Sequence, residues 1–268
     1  GEEPLMKRRA FIFSLLLFGL FLLPQAALAT EGGGSYYFPG TSVTFGSGIS
    51  PPPGFMLVDQ LLFYSGEVDK AVFGGRVRLG VDASAFYNYL GCFYAFEKPV
   101  LGGRLQIGAA VPVGWVDFEG QASIGQDFRR GTDDDSGLGD VLLTAALYWK
   151  GKGNLHYKLS ESVFVPTGSY SDSEGTLANV GRNYWGFDTT FTVTWMNMET
   201  GREFVIAPGI LFNTENSDTD YQSGTEFHLD VALNQYLAQN LAVGLHGYYY
   251  RQLSGDSGSG AKLGDFKG

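Results

Sequence analysis

The sequence predicts an all-β protein, a transmembrane antiparallel up-and-down β-barrel of the outer-membrane type, on three observations. The chain of 268 residues is 15% aromatic and contains 39 glycines, and its turn residues recur at short intervals, as in sheet proteins. Several segments alternate apolar and polar side chains with the period of two that a strand requires. Short and long connections between these segments alternate, as they do in outer-membrane barrels.

The N-terminus carries the pattern of an export signal. Basic residues 7–9 precede an apolar run of 14 residues from 10 to 23, and Ala27-Leu28-Ala29 places small residues at the −3 and −1 positions of a cleavage site. A helix needs about 20 apolar residues to span a bilayer, so this run is too short for a permanent anchor. We predict a signal peptide over residues 6–29, cleaved after Ala29, and upstream read-through over residues 1–5.

Composition excludes several classes of protein. The single cysteine, Cys92, cannot form an intramolecular disulfide, so the chain is not a disulfide-stapled secreted scaffold. The formal net charge of −10 makes the protein a poor binder of nucleic acid. Serines are plentiful but none lies in a nucleophile motif, so we predict neither an enzyme nor a cofactor.

The clearest strand pattern covers residues 184–195, where one face is apolar and the other polar. Trp185 and Trp195 bracket the apolar face. Ten residues at ~3.3 Å each, tilted by ~40°, cover about 25 Å, which is the height of the apolar band between the aromatic girdles of a membrane barrel. Three further segments alternate in the same way: residues 104–115, 203–212 and 226–234. The predicted girdle consists of Trp115, Trp149, Trp185 and Trp195.

The polar phase of these strands predicts which residues line the interior and the path of a solute. They are Arg104, Gln106, His156, Lys158, Asp188, Thr190, Thr192, Thr194, Glu226, His228, Asp230 and His246. The three histidines lack the i, i+2 spacing of metal ligands on one strand, which favours scattered polar lining over a metal cluster. Two interpretations remain open for Glu226, His228 and Asp230: a charge network with Arg104 or Lys158 at a constriction, or ordinary cross-strand ion pairs.

The connections set the direction of each strand. Tight turns are predicted at residues 97–102, 150–153, 198–201 and 236–240, and longer polar loops at 117–137, 167–181 and 213–224. With the N-terminus in the periplasm, this gives nine strands, near residues 54, 84, 103, 138, 154, 183, 202, 225 and 240. Bacterial barrels have an even strand number, so we expect residues 54–268 to form an incomplete barrel of about 12 strands when whole, from a truncated reading frame.

Three features do not follow the strand pattern. Residues 30–53 are rich in proline, which bars regular pairing, so we expect a periplasmic arm or an inward plug there. Glu161 falls on an apolar phase, which predicts a bulge or a change of phase.

Acidic loop residues offer oxygen ligands for calcium or for the cations that bridge lipopolysaccharide, although their spacing is not that of an EF-hand and solvated loop acidity is the alternative. They are Asp133, Asp135, Asp218 and Asp220.

Six short motifs occur in order along the mature chain. They are Ser50-Pro51-Pro52-Pro53-Gly54-Phe55, Ser136-Gly137-Leu138-Gly139-Asp140, Gly153-Asn154-Leu155-His156-Tyr157, Pro166-Thr167-Gly168-Ser169-Tyr170, Gly181-Arg182-Asn183-Tyr184-Trp185-Gly186-Phe187 and Asn216-Ser217-Asp218-Thr219-Asp220-Tyr221-Gln222-Ser223-Gly224. This series resembles motifs of the proteins named for the meta-pathway of phenol degradation, and the resemblance covers essentially the whole mature chain.

The resemblance implies a transporter-like barrel of the Gram-negative outer membrane that takes up hydrophobic or aromatic small molecules. Its expected partners are such a molecule, outer-membrane lipid and lipopolysaccharide, and the barrel-assembly machinery. Members of that family normally continue beyond the length seen here, in agreement with the strand parity. The alternative is a structural or adhesive barrel that acts through its acidic extracellular loops.

Overall fold

The structure is a computed structural model that describes residues 31, 34–73, 76–124, 127–173, 178–238 and 241–261. Side chains are described in these ranges except at residues 67–81 and 120–131. The predicted signal peptide and the residues before it lie outside the described part of the chain.

In this described part, ten strands form one antiparallel sheet. They are β1 (Gly54–Phe73), β2 (Arg76–Ala95), β3 (Arg104–Ile124), β4 (Asp127–Leu138), β5 (Val141–Lys150), β6 (Leu155–Val165), β7 (Gly186–Asn197), β8 (Arg202–Asn213), β9 (Glu226–Ala238) and β10 (Leu241–Gln252). A 3₁₀ turn at Thr41–Val43 precedes them. None of the described residues forms a helix that is long and apolar enough to cross a membrane.

Consecutive strands pair with each other except β4 and β5, which both pair with β3, and this is the up-and-down topology that the sequence predicts. The sheet runs β1-β2-β3-β5-β6-β7-β8-β9-β10, and β4 pairs with the outer part of β3. Because β4 and β5 lie end to end beside β3, the ten strands occupy nine positions across the sheet, the predicted number. The predicted fold class is confirmed.

The junction of β4 and β5 is a bulge opposite Pro112. Pairing stops at Val113 with Leu138 and resumes at Ala110 with Leu142, so two residues of β3 face three of its partner. Proline has no N–H for the ladder, and Gly139 N instead donates to Pro112 O at 2.9 Å. An extra residue changes the direction of the side chains around it, and here it accompanies the burial of Asp140, which is 5% exposed.

Two predictions about elements are wrong. The segment 117–137 is not a loop, because β3 and β4 extend through it as a hairpin with continuous pairing from Val113 with Leu138 to Ile124 with Asp127. Glu161 causes no bulge, since β6 pairs in unbroken register with β5 and with β7 around it. Glu161 instead keeps its outward phase and accepts a hydrogen bond of 2.5 Å from Thr189 Oγ1 on β7. The hydroxyl of Thr189 thus satisfies the Glu161 carboxylate on the outer face, and the register of β6 does not change.

The tight turns predicted at 97–102 and 198–201 fall between consecutive strands, and the turn predicted at 150–153 and the loop predicted at 213–224 begin on the last residue of β5 and of β8. The predicted loop at 167–181 follows β6 and precedes β7. Residues 236–238 of the turn predicted at 236–240 belong to β9, and residues 239–240 and 174–177 lie outside the described part of the chain. The tight turns lie at one end of the strands and the longer connections at the other end, because consecutive strands are antiparallel.

Residues 34–50 cross the concave face of the sheet, and we call them the arm. The Phe38 ring lies 5.6 Å from that of Tyr87 on β2, whereas the Tyr37 ring lies 6.1 Å from that of Tyr250 on β10. Adjacent strands are about 4.8 Å apart, so two consecutive residues touch strands that a flat sheet would hold far apart. The sheet therefore curls around the arm.

Candidate functional site: the interior face and its arm

The twelve predicted interior residues lie on one face of the sheet. Pairing carries this face across the strands, for example from Lys158 to Thr192 and from Ala207 to Asp230. Thr192, Glu226, His228 and Asp230 are fully buried there or nearly so, and His246 lies near the β10 edge, where it contacts Asn234 Oδ1 at 3.2 Å.

The opposite face is apolar and exposed. Leu159, Phe191 and Phe204 lie on it with about two fifths of their surface open, and many large hydrophobic side chains share this exposure. Contiguous exposed apolar surface of this extent is typical of contact with lipid or with another protein. Of the predicted girdle, Trp115, Trp185 and Trp195 are exposed on this face, and Trp149 Nε1 donates to Leu101 O at 3.1 Å.

Asp230 on β9 binds the middle of the arm. Its carboxylate accepts hydrogen bonds from the Tyr37 hydroxyl, from Gly40 N at 3.1 Å and from Ser42 N at 3.2 Å. The Tyr37 ring stacks on the imidazole of His228, with 4.2 Å between centroids and an interplanar angle of 19°. A buried carboxylate is costly unless it is hydrogen-bonded, and here the donors all come from the arm.

Asp140 binds the start of the arm and two loop segments together. Its carboxylate accepts from Tyr36 OH and Arg182 N at 2.7 Å each, from Gly168 N at 2.8 Å and from Thr167 N at 3.0 Å. The four donors come from three separate stretches of the chain. Asp140 therefore joins the β4–β5 bulge, both ends of the β6–β7 loop and the arm.

Arg182 adds a cation to the same cluster. Its guanidinium donates to the carbonyl oxygens of Gly34 and of Ser35, the latter at 2.8 Å, and lies 5.4 Å above the Tyr36 ring. The Tyr36 ring also stacks on Phe164 of β6 at 4.3 Å. Fork-shaped donors suit two adjacent carbonyls, so Arg182 fixes the backbone where the arm enters the interior.

Two further carboxylates hold the arm. Glu226 accepts from Ser35 Oγ, from Asn213 Nδ2 at 2.7 Å and from Tyr250 OH at 3.0 Å. Glu203, near the tight turns, accepts from Gly46 N at 3.0 Å and from Asn234 Nδ2 at 2.9 Å. The arm is thus bound to carboxylates along its whole length.

Glu31, which precedes the arm in the chain, is bound to the β8–β9 loop. Its carboxylate accepts from Thr219 Oγ1 at 2.6 Å and from Asn216 Nδ2 at 3.2 Å, and its N–H donates to Ser223 Oγ at 3.1 Å. Burial raises the pKa of Glu31 from 4.5 to about 7, with these two side-chain hydrogen bonds lowering it in part. Glu31 therefore changes its charge near neutral pH.

Among the described residues, no ion pair joins Glu226, His228 or Asp230 to Arg104 or Lys158. Arg104 donates to Ser50 Oγ at 3.0 Å and to Phe96 O at 2.9 Å, so its described hydrogen bonds go to the arm and a turn. His228 Nε2 lies 2.9 Å from Asp188 Oδ1 and so reaches from β9 across β8 to β7. Both interpretations of Glu226, His228 and Asp230 stay predictions. Arg104 and Arg182 contact opposite ends of the arm.

The acidic loop residues do not form a metal site in the described part of the chain, where no group of three His, Cys, Asp or Glu side chains is placed to hold an ion. Asp133 accepts from Ala178 N at 2.9 Å and Asp135 from Val180 N at 3.0 Å. Asp218 and Asp220 accept from Ser217 Oγ and Ser259 Oγ at 3.3 and 3.2 Å. A cation role for these four residues stays a prediction.

Sequence reasoning missed four residues outside the strands that fix the arm to the interior. Asp140, Arg182, Tyr36 and Tyr37 lie in irregular segments, where no periodicity marks an inward side chain. A signal was present, because Asp140, Arg182 and Thr167 each belong to one of the family motifs. The three motifs meet at the Asp140 carboxylate.

A curled antiparallel sheet with an apolar exterior, a polar interior and an internal arm defines a transmembrane β-barrel wall. The chain belongs to the family described as putative MetA-pathway of phenol degradation, whose pattern matches residues 67–268. Among solved structures it is similar to the COG4313 outer membrane channel from Pseudomonas putida F1, with a TM-score of 0.61 and 15% identity over 84% of this chain and 80% of that one. No curated protein sequence matches it.

Proposed function

We propose that the protein is a channel of the Gram-negative outer membrane that admits small hydrophobic or aromatic molecules. In this proposal the chain is exported by the signal peptide over residues 6–29 and cleaved after Ala29, and the arm acts as a plug. One observation carries it: the interior face holds the rings of Tyr36 and Tyr37 against Phe164 and His228, so this interior accommodates aromatic rings. The family and the fold of the similar channel support the same function.

The interior offers weak contacts rather than one tight cage. Thr190, Thr192 and Thr194 form a column of hydroxyls along β7, and those of Thr192 and Thr194 have no hydrogen-bond partner among the described residues. Both threonines are fully buried, so a solute or a water molecule bonds to them in turn once the arm has moved aside. Diffusion through such a path needs several modest contacts and no energy source.

The loops give less support to an adhesive role. Asp133 and Asp135 accept from backbone N–H groups of the β6–β7 loop, so these carboxylates join β4 to that loop. The described geometry therefore favours the channel.

Uptake into vesicles tests the channel. Phospholipid alone is permeable to small aromatics, so the vesicles need an outer leaflet of lipopolysaccharide, which slows apolar solutes. We expect the full chain to speed the entry of radiolabelled phenol and toluene several-fold over vesicles that carry boiled protein. Equal rates for both preparations and both solutes would contradict the proposal.

A further inference from the structure

The interior contains a complete set of contacts for one phenol ring, filled by the side chain of Tyr37. We call His228, Asp230 and Tyr250 the ring seat. Tyr37 is only 7% exposed, with its ring stacked on His228 at 4.2 Å and parallel to Tyr250 at 6.1 Å, and with its hydroxyl donating to the Asp230 carboxylate.

The ring seat belongs to the wall of the sheet and not to the arm. His228 and Asp230 lie on β9 and Tyr250 on β10, where ladder pairing fixes the backbone. His228 is held by Asp188 at 2.9 Å, and the absent side chain of Gly209 makes room for it, since a Cβ there would lie 2.3 Å from the imidazole. The sheet therefore fixes the backbone of the seat without Tyr37, and Gly40 N and Ser42 N still donate to Asp230 when the Tyr37 hydroxyl does not.

A free phenol offers the same groups as the Tyr37 side chain. Its ring can stack on the imidazole, and its hydroxyl can donate to the carboxylate in a charge-assisted hydrogen bond, which is stronger than a neutral one. The same arrangement recurs next to it, where Tyr36 stacks on Phe164 and donates to Asp140. Arg182 binds the backbone beside Tyr36, so Tyr37 is the more exchangeable of the two rings.

We propose that the ring seat binds hydroxylated single-ring aromatic molecules and that Tyr37 occupies it as an internal stand-in until such a molecule displaces it. This inference rests on the proposed channel function and names its substrate class. Displacement removes one of the three arm bonds to Asp230, which couples arrival of the solute to loosening of the plug.

Removing the stand-in tests the proposal. Phenol can bind only in the fraction of molecules whose ring seat is not occupied by Tyr37, and its apparent affinity is lowered in proportion to that fraction. Tyr37→Ala should therefore tighten phenol binding. We expect the Kd for phenol, measured by calorimetry on the full chain in detergent, to fall about tenfold or more. The matched control is Tyr157→Ala, which removes a tyrosine from the outer face, where Tyr157 stacks on Phe191, and should leave the Kd unchanged.

The choice of ligand tests the role of the carboxylate. Toluene has the ring without the hydroxyl, and loss of a hydrogen bond to a charged group should weaken its binding to Tyr37→Ala about tenfold relative to phenol. Adding Asp230→Asn to Tyr37→Ala should remove most of that difference. Equal Kd values for phenol in the wild type and Tyr37→Ala, or equal values for phenol and toluene in Tyr37→Ala, would overturn the proposal.

A measurement with Tyr37 in place guards against a variant that fails to fold. In a chain carrying Cys92→Ser and Ser42→Cys, phenol should speed maleimide labelling of the arm thiol, and toluene should not. No acceleration by phenol would also overturn the proposal. If vesicle uptake fails while these binding results hold, the channel function is wrong and the ring seat stands. If uptake succeeds while Tyr37→Ala leaves the Kd for phenol unchanged, the channel function stands and the ring seat is wrong.

Discussion

At the scale of single residues, the interior is organised by buried carboxylates that lie on the wall and bind the arm. Asp140, Glu203, Glu226 and Asp230 are each at most 5% exposed, and each accepts at least two hydrogen bonds. Burying an ionised carboxylate without donors costs several kcal/mol, so each of these residues requires its partners in place. The arm supplies at least one partner to each of them, which makes its position part of the stability of the wall.

Asp140 should be the most sensitive of these positions. Asp140→Ala leaves three backbone N–H groups without an acceptor and leaves the Tyr36 hydroxyl with only Tyr184 O, and we expect a loss of about 2–4 kcal/mol in the free energy of unfolding. Urea unfolding of the refolded protein in detergent, followed by tryptophan fluorescence, measures it. Asp134→Ala, at an exposed position of β4, is the control and should change stability by less than about 0.5 kcal/mol. Similar losses for both variants would refute the role of Asp140.

Glu31 should make stability depend on pH. Binding of Glu31 to the β8–β9 loop raises its pKa, so the bound state favours the protonated carboxyl. This binding therefore weakens as pH rises from 4.5 through about 7. Arg182 lowers and Asp256 raises this pKa, and burial outweighs both. The difference between 4.5 and about 7 corresponds to about 3 kcal/mol, the upper limit of the effect at alkaline pH.

Glu31→Gln tests this dependence because glutamine fills the same space without a charge. We expect the variant to match or fall below the wild type in thermal stability at pH 5 and to exceed it at pH 8. Glu199→Gln, in an exposed turn, serves as the control and should follow the wild type at both values. A constant gap between Glu31→Gln and the wild type over this range would show that the carboxyl does not titrate on docking.

The interior phase of the strands could be read from the sequence, whereas the arm contacts could not. Alternation is local, so it places Thr192 and Asp230 on the inward face without knowledge of any partner. The bonds from Tyr36 to Asp140 and from Arg182 to Gly34 join residues 104 and 148 positions apart. No local pattern encodes such pairs, and the folded chain alone brings them together.

At the scale of elements, most strand and turn positions follow from the sequence, and the error at 117–137 has a physical cause. Gly131, Asp133 and Asp135 are typical of loops, yet all three lie in β4 and pair with β3. A hairpin that extends beyond the apolar band has water on both faces and needs no apolar side chains. Composition therefore cannot distinguish it from a loop.

The arm depends on a close approach to the wall at Gly48. A Cβ on Gly48 would lie 2.3 Å from Thr194 Oγ1 and 2.8 Å from its Cβ, closer than side chains tolerate. We expect Gly48→Ala to displace the arm and raise solute flux through reconstituted protein at least twofold, since overpacking of this kind costs about 1–3 kcal/mol. Gly137→Ala is the matched control, because its Cβ would meet nothing closer than 3.4 Å. Unchanged flux in Gly48→Ala would mean that the arm does not obstruct the path.

At the scale of the whole molecule, the sheet is a wall with two different surfaces. Apolar side chains cover the outside, and carboxylates, threonines and tyrosines line the inside around the arm. A soluble sandwich would place its apolar residues between sheets, where they avoid water. In this curled sheet the apolar face is the exposed one, an arrangement that is stable where lipid replaces water.

A charged substitution on the outer face can distinguish whether lipid or water covers that face. Leu159 lies near the middle of β6, on the outer face, and is 42% exposed. If lipid covers it, Leu159→Arg should cost about 2–4 kcal/mol in the free energy of unfolding from phospholipid vesicles, because an arginine at the bilayer midplane loses its hydration. If water covers it, a surface substitution of this kind changes stability by about 0.5 kcal/mol or less.

Met198→Arg supplies the matched control, since it makes the same change of apolar side chain to arginine in the tight turn between β7 and β8. Met198 is 78% exposed and lies outside the strands, at the edge where the cost of arginine falls to about 0–1 kcal/mol. Urea titrations of both variants in the same vesicles give the two values directly. Equal losses would contradict a lipid-facing wall, whereas a gap of about 2 kcal/mol or more places the centre of β6 inside the bilayer.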